Sequence, residues 1–290
     1  MSNILDAYVM RYPQLSLPVE AGMSGDARYT DIVRRGRLPL HPVSPFRGSP
    51  RDEERRIETP VGVIPVLHIG NRGDFERFVN VLRDRCEPVP VPPSMGALTL
   101  LGVINWRKIQ AHKRQWILDG HTEGWAEEQK RFVADPARYR DTVVLVSDGP
   151  YSGLPAQQAG MEPELWRERS LDIRIWHELT HVVCRKLWPD HKQAVRDEIL
   201  ADCVGLLAAF GRYDPGLALA LLGVTPEGYR PGGRLQNYLP EGLPSAPLLE
   251  AVRQTVQLLA VRCARSHEAP FAMLTHLEEE ALALPLFTAL

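Results

Sequence analysis

Two histidines four residues apart, His177 and His181, enclose a carboxylate in the run His177-Glu178-Leu179-Thr180-His181. On a helix, residues i and i+4 project from one face, so both imidazoles can reach one zinc ion at about 2.0–2.1 Å. Glu178 then points alongside, toward the coordination position that three protein ligands leave open, where it can take a proton from water. The motif requires a helix, and no proline or glycine interrupts residues 165–187. Ile175, Leu179, Val182 and Val183 surround the pair with apolar side chains, and neither position between Glu178 and His181 is charged. The competing use of the pattern is two ordinary histidines on an amphipathic helix.

A second group of carboxylates weighs against that use. Asp197-Glu198-Ile199-Leu200-Ala201-Asp202 follows the break at Trp188-Pro189-Asp190. With Pro189 as the tip of a helical hairpin, His181 lies 8 residues before it and Glu198 9 after, while His177 lies 12 before and Asp202 13 after. Antiparallel packing at about 1.5 Å per residue sets Glu198 level with His181 and Asp202 level with His177. Glu198 is therefore expected as the third metal ligand. Asp202 is expected to accept a hydrogen bond from the non-coordinating nitrogen of His177 and fix its tautomer. Asp197 reads as a solvated charge; Asp202, amid Ile199, Leu200, Ala201, Val204 and Leu206, does not.

His177-Glu178-x-x-His181 followed by Glu198-x-x-Ala201-Asp202 resembles the gluzincin branch of the zincin metallopeptidases, which includes the thermolysin-like enzymes. The resemblance covers about residues 142–211. The longer metzincin pattern is absent, because its glycine and third histidine would fall at Cys184 and Leu187. The whole chain reads as a member of an uncharacterised bacterial family carrying this motif. The resemblance implies a zincin-like α+β fold: a small mixed sheet in the N-terminal half packed on the zinc helix, and an all-helical C-terminal half. It also implies one Zn2+ ion held by His177, His181 and Glu198, Glu178 as general base, and a peptide or protein substrate. A sheet edge above the zinc helix would hold that substrate, and residues 142–147 occupy the corresponding place in the chain. Tyr213, Tyr238, Arg234 and His191, all downstream, are candidate donors to a developing oxyanion.

These groups need elements to carry them. Residues 1–58, rich in proline and glycine, are expected to form an extended segment lying on a domain spanning 59–290, with an α/β lobe at 59–160 and a helical lobe at 161–290. The charged patch 51–56 is expected to be a solvated turn or a short helix surface. Residues 61–68 predict a strand that Pro65 confines to an edge or a bulge, and 142–147 a second strand. Residues 95–105 suit strand or helix. Helices are expected over 74–85, 107–118, 123–132, 163–187, 191–210, 215–222, 247–265 and 270–284. The turn at Gly149-Pro150-Tyr151-Ser152-Gly153 could shape the rim of a site.

The totals narrow the partners. Lys+Arg 34 against Asp+Glu 36 leaves a net charge of −2 over 290 residues, with no global attraction to nucleic acid or anionic membrane. No run of eighteen apolar residues predicts a membrane span. The first residues carry no basic and then apolar leader, so a cytoplasmic location is expected. Four scattered cysteines, with Cys184 and Cys203 out of register by about 13 Å along the hairpin, are expected to be buried thiols. The leading expectation is a zinc metallopeptidase-like hydrolase. The competing one keeps the zincin core for binding or regulation. Oligomeric state and cleavage preference are left open.

Overall fold

The computed structural model describes residues 3–190, 193–239, 242–265 and 269–281. They divide into two compact units, residues 1–56 with 65–147, and residues 57–64 with 148–290. The architecture is mixed α+β. Among the described residues, no helix is long and apolar enough to cross a membrane.

The first unit opens with α1 (Ile4–Arg11), capped by the Asn3 side chain, which accepts a hydrogen bond from Leu5 N–H. One helical turn, α2 (Ala27–Tyr29), follows. Strands β1 (Glu53–Thr59) and β2 (Gly62–Ile69) lead to α3 (Arg72–Leu82). Then come β3 (Ala97–Ile104), α4 (Trp106–Leu118), α5 (Trp125–Val133) and β4 (Arg140–Ser147). The sheet order is β1-β2-β4-β3, with β2 and β4 parallel and β3 and β4 antiparallel, so the sheet is small and mixed. Leu5, Tyr8, Leu67, Ile69, Phe75, Phe78 and Leu145 are fully or almost fully buried in one apolar core.

The structure differs from several sequence expectations here. The N-terminal segment is not extended throughout, because α1 buries Leu5, Tyr8 and Val9 on one face. Residues 53–59 form an edge strand rather than a turn or helix surface, and an edge tolerates the charges of Glu53 to Glu58. β2 is an inner strand despite Pro65, whose missing N–H precedes the ladder of Val66–Ile69 with β4. β4 lies between β2 and β3, so residues 142–147 present no free edge to an extended substrate; the edges are β1 and β3.

The second unit is dominated by helices α6 (Pro163–Leu187) and α7 (Ala194–Phe210). Pro163 starts α6 at a position where its lack of an N–H costs nothing. Gln193 caps α7, accepting from Arg196 N–H at 3.0 Å, and Gly211 ends it at φ +66°. α6 and α7 pack against each other closely. A Cβ at Gly205 would lie 2.8 Å from the Ile173 carbonyl oxygen, so α7 reaches this distance only without a side chain there. Helices α8 (Pro215–Leu222), α9 (Ala246–Ala264) and α10 (Pro270–Ala281) complete the unit. It is not wholly helical. Strands β5 (Val224–Thr225) and β6 (Gly228–Tyr229) form a small hairpin around Pro226, too short to leave a period in the sequence.

Candidate metal centre

Face geometry of two helices builds the site. His177 and His181 stand one turn apart on α6, and Glu198 and Asp202 one turn apart on α7. The Nε2 atoms of His177 and His181 are 3.0 Å apart. One oxygen of Glu198 lies 3.3 Å from His177 Nε2 and the other 3.3 Å from His181 Nε2. A tetrahedral cation with bonds of about 2.0–2.1 Å separates its ligand atoms by about 3.3 Å, so the donor spacing fits one zinc ion. Among the described residues, His177, His181 and Glu198 form a group of donors close enough to share such an ion, their ligand atoms all lying within 4.8 Å of one another. The buried Oε2 atom of Glu198 has His177 Nε2 beside it at 3.3 Å and makes no regular hydrogen bond, which leaves it open to coordinate a cation. The donor set, two imidazoles and a carboxylate, suits zinc.

A buried polar network stands behind His177. Its Nδ1 lies 3.0 Å from Asp202 Oδ1 and 2.7 Å from the Tyr151 hydroxyl. The Tyr151 hydroxyl donates its one proton to Asp202 Oδ1 at 2.7 Å and accepts from Arg234 Nη1 at 2.6 Å. Arg234 Nη2 also pairs with Asp202 Oδ2. The Nδ1–H of His177 is thereby held toward oxygen, and the Nε2 lone pair is left facing Glu198 and His181. Burial raises the Tyr151 phenol well above its ordinary range, so it stays a neutral donor. Burial opposes ionisation of Asp202, but Arg234 and His177 hold it below the usual carboxylate range. Glu198 behaves likewise, held far down by His177 and His181 against its burial.

Burial pushes His177 down, yet the Glu198 and Asp202 carboxylates raise it from 6.5 to about 9. Two consequences have opposite signs. Without a cation, the raised value contributes stability that is complete below about pH 6.5 and is lost as the pH rises through about 9. A cation must displace that proton, so its apparent affinity is expected to climb from pH 6 to about 9 and then level off. Zinc titrations between pH 6 and 10, with proton release followed by calorimetry in buffers of different ionisation enthalpy, check this. An affinity that does not change with pH would remove His177 from the ligand set.

The remaining residues separate by position. Glu178 follows His177 on α6 and is half-buried. Tyr238 is hydrogen-bonded to Glu198, beside the ligand set, and burial, aided by that carboxylate, raises its phenol. Arg234 is committed to Asp202 and Tyr151. The Tyr213 hydroxyl is buried with Cys203, Asp202 and Cys263 as neighbours. His191 lies outside the described residues. A cavity of about 350 Å3 opens against His181 and Glu198, with Trp188 and Ala194 among its walls.

Tyr151 is the member that sequence reasoning passed over, having assigned its segment to the rim. A signal for it exists on α6. Ser170, Arg174, His177 and His181 form a polar stripe at i, i+4, i+7 and i+11 along α6. Ser170 Oγ accepts from Tyr151 N–H at 3.0 Å, and Arg174 donates to the Gly149 carbonyl at 3.2 Å. The stripe thus anchors the turn that delivers the phenol. Two thiols were also unforeseen as neighbours: Cys203 and Cys263 place their sulfurs 3.6 Å apart.

The family of unknown function DUF7005 matches residues 2–290 of the chain. The chain belongs to that family. No curated protein matches this DUF7005 member, and no solved structure does.

Proposed function

We propose that this DUF7005 member is a zincin-like, zinc-dependent hydrolase that cleaves amide bonds in peptides. The reading rests above all on the ligand geometry: two Nε2 atoms 3.0 Å apart, each 3.3 Å from an oxygen of Glu198. Support also comes from Glu178, because a site that merely held its metal for structure would have no use for a carboxylate base there. Zinc bound there would polarise the substrate carbonyl and bring water near neutral ionisation. His177, His181 and Glu198 would hold the ion. The Glu178 carboxylate takes a proton from the attacking water and returns it to the leaving nitrogen as the C–N bond breaks. Tyr238, next to Glu198, is the candidate best placed to donate to the developing oxyanion. Asp202, Tyr151 and Arg234 act through His177 as positioning residues. The cavity against His181 and Glu198 would give a substrate access to two of the three ligand residues.

The test is turnover of a diverse peptide library by zinc-loaded protein, by protein stripped with a chelator, and by stripped protein given zinc again. Cleavage lost on stripping and restored by zinc is the expected result. Zinc bound at one ion per chain with no peptide or other amide cleaved would transfer the site to a binding or regulatory role.

A further inference from the structure

A second cavity of about 540 Å3 in the same unit shares no lining residue with the cavity at the metal centre. Leu154, Leu219, Ala220 and Val224 give it an apolar floor. Arg230 and Arg253 also line it, and among the described lining residues none is acidic.

The walls are preformed. Arg253 Nη2 donates to the carbonyl oxygens of Thr225 and Gly228, at 2.8 and 3.3 Å, bracing the β5–β6 hairpin. Arg230 Nη1 donates to Gln158 Oε1 at 3.0 Å. Gly223, at φ +85°, ends α8 where a Cβ would come within 2.6 Å of Gly233 Cα, so hairpin and following loop are locked together. Among the described residues, Arg253 Nη1 pairs with Glu250 at 4.0 Å, and Glu250 is largely exposed, which makes it a weak, screened partner.

A cavity with an apolar floor and two cations is complementary to an apolar tail that ends in an anion. We infer that this cavity binds a small amphipathic carboxylate, its alkyl chain on Leu154, Leu219 and Val224 and its carboxylate on Arg230 and Arg253. At about 30 Å3 for each water-sized group, the volume of about 540 Å3 takes about eighteen such groups, which is room for a ten-carbon chain with its headgroup. The site is independent of the metal centre and stands or falls without it.

The probe is decanoate, titrated into the full-length protein by calorimetry, with decanol as the uncharged control. Decanoate is expected to bind at one per chain, at least about tenfold more tightly than decanol. Arg230→Gln should weaken decanoate about tenfold and leave decanol unchanged. Ala220→Trp, which fills the floor, should abolish binding of both while the circular dichroism spectrum stays native. Failure of the native protein to bind decanoate at millimolar concentration would overturn the inference. Equal affinity for decanoate and decanol would also do so, as would unaltered decanoate binding by Arg230→Gln, a half-exposed position whose change leaves the fold intact.

Discussion

Replacing Glu178 by Gln is expected to leave zinc binding within about twofold of native and to cut peptide hydrolysis by about 10²–10⁴-fold. The carbonyl and amide ends of glutamine match the shape of the carboxylate, so the helix and the ligand atoms of His177 and His181 stay where they are. What disappears is a base able to hold the proton of the attacking water, and with it the acid that returns the proton to the leaving nitrogen. The outcome is read as a split: metal content by mass spectrometry against kcat/KM on the best library peptide. Retained zinc with retained turnover would contradict the role of Glu178. Loss of both would make Glu178 part of the metal-holding structure instead.

The second large effect concerns the network behind His177. Asp202→Ala is expected to destabilise the second unit by about 3–5 kcal/mol, because it leaves the Arg234 guanidinium buried without its counter-charge. It also frees the Nδ1 side of His177, and zinc affinity is expected to fall by about 10–100-fold. Two controls separate these causes. Asp202→Asn keeps an acceptor for His177 and Tyr151 but removes the charge, so it should recover part of the affinity. Asp202→Ala combined with Arg234→Met removes both charges, and should recover much of the stability without recovering the affinity. Chemical denaturation of the four proteins in chelator, then zinc titration, gives both quantities. If Asp202→Ala bound zinc as tightly as native, the network would be scaffolding unrelated to the ligand.

Helical spacing made much of this site legible. His177 and His181, like Glu198 and Asp202, differ by four in number, and the break at Pro189 relates the two pairs through a count that needs only the rise per residue. The 163–187 helix was legible from its long apolar periodicity, and the 215–222 helix from its unbroken apolar run, each with proline at its start. Contacts distant in the chain were not. Tyr151 comes to His177 from a turn 26 residues earlier, and Arg234 reaches Asp202 from 32 residues later. No local pattern announces either, although the Ser170–Arg174–His177 stripe marks the face on which Tyr151 lands. Sheet order was equally hidden, since Pro65 argued for an edge and only the pairing with β4 beyond it shows an inner strand. Short elements stabilised by packing, such as α1 and the β5–β6 hairpin, left too few residues to show a period.

The proposed metal centre is tested most directly by weighing the ion. Native protein, purified without added chelator and dialysed against zinc-free buffer, is analysed for metal by plasma mass spectrometry beside Glu198→Ala. One zinc per native chain, and at least about a hundredfold weaker zinc binding by Glu198→Ala, is the expected result. A native chain that takes up no zinc even when titrated, or a Glu198→Ala chain that binds it as tightly as native, would contradict the assignment of His177, His181 and Glu198 as ligands.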